Sequence, residues 1–126
     1  MTHPYDGERP PKMPAGATDF SNVQGIIADL DGTMYDASGA IPGAGTAVRA
    51  LRAAGFGIRF VTNTTRCPHA DVVNRLRQLE IDVVPDEVFT APRACAAWLR
   101  RQAVCSVAMH LPKPTRVEFD AFVTEE

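Results

Sequence analysis

The sequence predicts an α/β fold built on a parallel sheet, and three observations carry that prediction. A short apolar run, Val23 to Ala28, stops abruptly at Asp29. An amphipathic segment, Ala44 to Ala54, comes next, and a second strand-like run, Gly57 to Val61, stops at Thr62 and Asn63. Strand, helix and strand in that order make a βαβ unit, whose strands are parallel and whose crossover is right-handed. Parallel strands place their carboxyl ends on one side. The Asp29 tip and the Thr62-Asn63 tip therefore converge, at the end of the sheet where open α/β proteins bind ligands.

Taken in order, residues 1–22 hold Pro4, Gly7, Pro10, Pro11, Pro14 and Gly16 with few large apolar groups. They are expected to form a disordered leader. Val23 to Ala28 is too short for a helix and rich in Ile, which reads as a buried strand. After it, Gly32 permits a sharp turn. Met34 to Ala40 is expected to be a loop or flap, punctuated by Pro42-Gly43. In the first helix Ala44, Ala47, Val48, Leu51 and Ala54 share a face, and Gly55 supplies the stop.

Pro68 to Leu79 is the next helix, with Pro68 suited to its first turn and Val72, Val73, Leu76 and Leu79 facing inward. Ile81 to Thr90 reads as a connector with a Pro-Asp-Glu turn. Thr90, Ala91 and Pro92 open a third helix, whose buried stripe is expected to be Ala91, Cys95, Trp98 and Leu99. Ala103 to Met109 is a third strand candidate. The Val117, Phe119 and Phe122 pattern beyond Pro112 and Pro114 fits no element.

Composition narrows the functional classes. A chain of 126 residues, 45% hydrophobic and 22% charged, has room for one small globular domain. A net charge of −2 lacks the basic excess of a nucleic-acid or anionic-membrane binder. Cys67, Cys95 and Cys105 have spacings that suit neither a disulfide framework nor a zinc site. Reduced thiols and a cytoplasmic location are expected. No apolar run reaches the roughly 18 residues of a membrane span.

The acid pair is where the chemistry concentrates. A lone Asp after a strand is often a turn residue or helix cap. Two carboxylates one residue apart at a strand end are costly to desolvate and suit metal binding or nucleophilic attack. A calcium loop is excluded by Thr33, Met34 and Ala40, which stand where that pattern needs an acidic or amide ligand, Gly and an acid. With a hydroxyl and an amide on the neighbouring strand tip, the set suits phosphoryl transfer. Asp29 can attack phosphorus to give an aspartyl-phosphate, and Asp31 can serve as acid and then base. Backbone N–H groups of Leu30, Gly32 and Thr33, with Thr62, can hold phosphoryl oxygens, and Mg²⁺ can screen the carboxylates from an anionic substrate.

These residues resemble a known family. Asp29-Leu30-Asp31-Gly32-Thr33 is similar to the first motif of the haloacid dehalogenase (HAD) superfamily of phosphohydrolases, and Phe60 to Thr65 to the second. Ile41 to Ala44, Leu76 to Glu80 and Asp86 to Thr90 are similar to the subgroup that holds NagD-type nucleotide phosphatases and the phospholysine phosphohistidine inorganic pyrophosphate phosphatase. The likeness covers roughly residues 23–110. It implies a three-layer Rossmann-like core with a parallel sheet, and a Mg²⁺-dependent phosphatase acting on a phosphorylated small molecule or phosphoamino acid. It makes Asp29 nucleophile and metal ligand, Asp31 acid/base with its backbone on the metal, and Thr62 and Asn63 phosphoryl-orienting residues.

The family also uses a later Lys and a later acidic pair, and neither can be placed here. Lys113 lies between two prolines, and Glu125-Glu126 follows no apolar strand. Residues 23–126 are thus expected to be the N-terminal half of the core, without cap or C-terminal half. The alternative is an inactive remnant or interaction module. An unpaired Val23–Ala28 edge would make the chain a homo-oligomer or dependent on a complementing half. A phospho-accepting receiver domain fits less well, because Thr62-Asn63 occupies the second strand tip. Arg66, His3, His69 and His110 read as structural or surface residues.

Overall fold

A computed structural model describes residues 20–125, so the leader expected at 1–22 lies almost wholly outside the described residues. The central sheet has three parallel strands in the order β1 (Gly25–Asp29), β4 (Gly57–Thr62), β5 (Val88–Thr90). Between β1 and β4 come a small hairpin, β2 (Tyr35–Asp36) with β3 (Gly39–Ala40), and helix α1 (Ala44–Ala53). Helix α2 (His69–Gln78) leads from β4 towards β5, and α3 (Ala91–Arg101) follows β5 directly. The expected βαβ unit and parallel order are present.

Alternation decides which face is buried. Ala28, Ile58, Phe60 and Val88 point to one side and pack with Val48 of α1 and Val72, Val73 and Leu76 of α2 in a single apolar cluster. Leu30, wholly buried, plugs the same cluster between the two acids and so anchors the turn that carries them. The other face bears Ile27, Arg59, Val61 and Phe89 and is exposed, Ile27 by 77%. Helix α1 ends as its sequence suggests, with Gly55 at φ 89° donating its N–H to the Arg52 carbonyl.

Three expectations need correction. The connector Ile81–Thr90 contains a strand: after a 3-10 turn at Pro85–Glu87, β5 pairs with β4 through Phe60↔Val88 and Thr62↔Thr90. Three residues are too few for periodicity to reveal. Met34–Ala40 is an ordered hairpin with Tyr35 buried against the core.

Helix α3 buries Pro92, Ala96 and half-buried Leu99, while Ala91, Cys95 and Trp98 face out, Trp98 by 53%. Its partners are Phe119 and Phe122, from the segment that fitted no element, and they select a face one residue round from the predicted stripe. The third strand candidate is present in shorter form as β6 (Ser106–Ala108), which pairs with β7 (Val123–Glu125) in a separate two-stranded sheet. A seven-residue 3-10 helix, Lys113–Phe119, lies between them.

Candidate active site

The parallel register aligns Asp29 with Val61, so Thr62 extends one residue beyond Asp29 and Asn63 two. The sheet thereby brings together the two tips that the sequence singled out. Asp31 follows the wholly buried Leu30 and forms an isolated bridge with Tyr35. The turn is closed by its own backbone. The Leu30 carbonyl accepts from the N–H groups of Thr33 (3.1 Å), Met34 (2.8 Å) and Tyr35 (3.3 Å), and the Gly32 N–H donates to the Tyr35 carbonyl (2.7 Å). Gly32 sits at φ 78°, which suits a residue without a side chain. The N–H groups of Gly32 and Thr33 are thus engaged within the turn, which shapes the acid pair rather than pointing outward.

Beside this turn is an open cavity of about 450 Å³, whose lining includes Asp31, Tyr35, Asn63, Arg66, Cys67 and Arg75. Asn63 also borders a second, apolar hollow of about 230 Å³ with Val61, Thr62, Phe89 and Ala94. Asp29 and Thr62 do not line the larger cavity. Thr62 is buried, and its hydroxyl oxygen accepts the Thr64 N–H at 3.2 Å, which folds the chain over after β4. The Thr64 hydroxyl oxygen accepts the Arg66 N–H in the same way, at 3.4 Å.

Electrostatics tie these groups together. Burial, with the Asp31 charge next and Asp29 contributing, pushes the Tyr35 phenol above its ordinary value. The Arg75 guanidinium opposes this, lying 4.5 Å over the Tyr35 ring while donating to the Asp36 carbonyl at 3.4 Å. Arg75 therefore ties α2 to the hairpin across the cavity. Burial and the nearby Asp71 push the Cys67 thiol up, so this cysteine is held in its neutral, less nucleophilic form. His69 has the structural role expected of it: its Nε2 lies 2.9 Å from the Pro85 carbonyl oxygen and 3.1 Å from that of Val88, at the entry to β5.

A sequence profile of the haloacid dehalogenase-like hydrolases matches residues 26–122. The chain belongs to that family. It is 43% identical over 82 residues to human haloacid dehalogenase-like hydrolase domain-containing protein 2, covering 65% of this chain and 32% of that protein. To the bovine phospholysine phosphohistidine inorganic pyrophosphate phosphatase it is 33% identical over 116 residues, covering 89% of this chain and 43% of the other.

Among solved structures, the 4-nitrophenylphosphatase from Thermotoga maritima matches with a TM-score of 0.69 and 28% identity, over 79% of this chain and 38% of that one. The chain thus spans 32–43% of the length of these relatives. The subgroup read from the sequence agrees with them. Among the described residues, no helix is long and apolar enough to cross a membrane.

Thr115 and Glu118, which sequence reasoning missed, also reach this region. The Thr115 hydroxyl donates to the Thr65 carbonyl at 2.9 Å, and the Glu118 carboxylate accepts the His69 N–H at 2.7 Å. The signal that could have found them is their spacing of three within a Pro-initiated segment.

Proposed function

We propose that the chain carries the nucleophile-bearing part of a Mg²⁺-dependent phosphatase that works through an aspartyl-phosphate. The observation that supports this most is the meeting of the Asp29–Asp31 turn and the Thr62-Asn63 tip at the carboxyl ends of paired parallel strands, beside a polar cavity. An Asp29 carboxylate oxygen attacks phosphorus as the bond to the leaving oxygen or nitrogen breaks. Asp31 gives its proton to the leaving atom, then removes one from the water that attacks the acyl phosphate, releasing phosphate and restoring Asp29. The Thr62 and Thr33 hydroxyls and the Asn63 amide donate to the phosphoryl oxygens as charge gathers on them.

Mg²⁺, when bound, supplies charge that offsets carboxylate and phosphate repulsion. Asp29 would hold it by its carboxylate and Asp31 by its backbone carbonyl, because this ion is commonly held by one or two carboxylates with substrate phosphate, not by a full protein cage. The substrate class is a phosphorylated small molecule or phosphoamino acid, in keeping with the name of the bovine relative. A cytoplasmic setting is in keeping with three free cysteines.

A second reading, an inactive module that needs a partner chain, is favoured by one observation. Among the described residues β1 pairs on one side only and leaves Ile27 77% exposed, an open apolar edge that a partner chain would cover. Beryllofluoride with Mg²⁺ separates the two, because it mimics a phosphoryl group on Asp29 and needs no turnover. A bound fluorine NMR signal in the wild type that is lost in Asp29→Asn supports the phosphatase reading. No bound signal in the wild type overturns it.

A further inference from the structure

The loop Asn63–Pro68 supplies five consecutive lining residues of the cavity, Asn63 to Cys67. Among the described residues, its local side-chain bonds are two: the Thr62 hydroxyl, at the end of β4, accepts the Thr64 N–H, and the Thr64 hydroxyl accepts the Arg66 N–H. Its fixed points lie elsewhere. Thr115, wholly buried, donates its hydroxyl to the Thr65 carbonyl at 2.9 Å across 50 positions of sequence. Just past the loop's far end, Glu118 accepts the N–H of His69, the first residue of α2, at 2.7 Å across 49 positions.

Helix α2 needs that acceptor, because its N-cap is Pro68 and no side chain of its own caps it. A carboxylate there also meets the positive end of the helix dipole.

Both residues belong to the 3-10 helix Lys113–Phe119. That helix repeats every three residues, so positions 115 and 118 eclipse one another and address the loop from one side. Phe119 and Phe122 secure the segment to α3 through Ala96 and Leu99, and the Arg100 guanidinium lies 5.5 Å over the Phe122 ring. The segment is thus a brace: anchored on α3 on one side, gripping the Thr65–His69 stretch on the other.

We infer that Thr115 and Glu118 are positioning residues of the phosphoryl site, setting where the Asn63–Cys67 loop stands relative to Asp31. The inference rests on the phosphatase reading for its catalytic consequence, while the brace itself is independent of that reading. Thr115→Val keeps size and burial but removes the donor and leaves the Thr65 carbonyl unpaired. Thr115→Ser keeps the donor. Glu118→Ala removes the trans cap, and Glu118→Gln keeps an acceptor without the charge.

Amide hydrogen exchange and hydrolysis of 4-nitrophenyl phosphate with Mg²⁺ test the inference together. The expected result for Thr115→Val and Glu118→Ala is faster exchange confined to residues 64–70. A fall in kcat of about tenfold, with KM little changed, accompanies it, and Thr115→Ser restores both. Unchanged loop exchange in Thr115→Val, or exchange accelerated evenly across β1, β4 and α1, overturns the inference. A wild type that hydrolyses nothing but shows the loop-confined response upholds the brace and counts against the phosphatase reading instead.

Discussion

Asp29 stands opposite Val61 in the parallel pairing of β1 and β4, which carries Thr62 one residue past it. This one-residue stagger is the geometric core of the site. It places a carboxylate and a hydroxyl-bearing residue at adjacent strand tips, with Leu30 buried beneath them to hold the acid turn in place.

Asp31 lines the cavity, and the proposed mechanism makes it the acid that protonates the leaving group. Asp31→Asn is expected to lower kcat for 4-nitrophenyl phosphate by about 10²- to 10⁴-fold, the usual worth of a general acid. The loss should shrink for substrates with more acidic leaving groups, which need less protonation. A series of aryl phosphates of graded leaving-group pKa checks this.

The Arg52–Glu87 pair should set the acid stability of the fold. Two short hydrogen bonds, 2.7 and 2.6 Å, join the end of α1 to the turn before β5, and Arg52 also donates to the Asp82 carbonyl at 3.0 Å. These bonds, helped by the Val84 N–H and opposed by burial, hold the Glu87 carboxyl below its ordinary value. A lowered folded-state pKa contributes stability above the unfolded value and loses it as pH falls through the folded one. Glu87→Gln should therefore cost about 1–2 kcal/mol near neutral pH. The gap to wild type should close below the ordinary glutamate range. Urea unfolding at a series of pH values measures both.

Gly45 offers a test of packing against propensity. In an exposed helix interior, Gly→Ala stabilises by about 1 kcal/mol. Here an added Cβ would lie 2.8 Å from the Glu80 carbonyl oxygen, and Glu80 is itself held at φ 58°. Gly45→Ala should instead destabilise, by about 1–3 kcal/mol, as overpacking does. Its denaturation midpoint should fall below that of the wild type.

Among the described residues, β1 pairs on one side only, and its outer edge carries no Lys, Pro or bulge to discourage further pairing. Ile27, 77% exposed on the open face, adds apolar surface beside Val61 and Phe89. Concentration-dependent association is expected, and Ile27→Lys should reduce it without loss of thermal stability. Light scattering across a concentration series gives the answer.

How much of this was legible in the sequence follows the strength of local pattern. β1, α1, β4 and α2 were readable because an apolar run or an amphipathic period of several residues ends in Gly, Pro or a polar residue, although β1, expected to be buried, exposes Ile27 on its open face. Asp29, Asp31, Thr62 and Asn63 were readable as a consequence, since each sits at the end of such a strand. β5 was hidden by its length of three residues, which pattern cannot separate from a turn. The buried face of α3 was misassigned because its partners, Phe119 and Phe122, lie in a 3-10 segment whose own pattern is too short to read. Thr115, Glu118 and Arg75 act through partners 50, 49 and about 40 positions away, a relation that only the folded chain displays.

The central claim is that Asp29 is a phosphoryl-accepting nucleophile. Its most direct test is Mg²⁺-dependent release of 4-nitrophenol from 4-nitrophenyl phosphate by purified wild type and Asp29→Asn, with circular dichroism showing both folded. The account predicts turnover by the wild type that is abolished by chelation, and an Asp29→Asn rate equal to the buffer blank. Equal rates for the two proteins would contradict it.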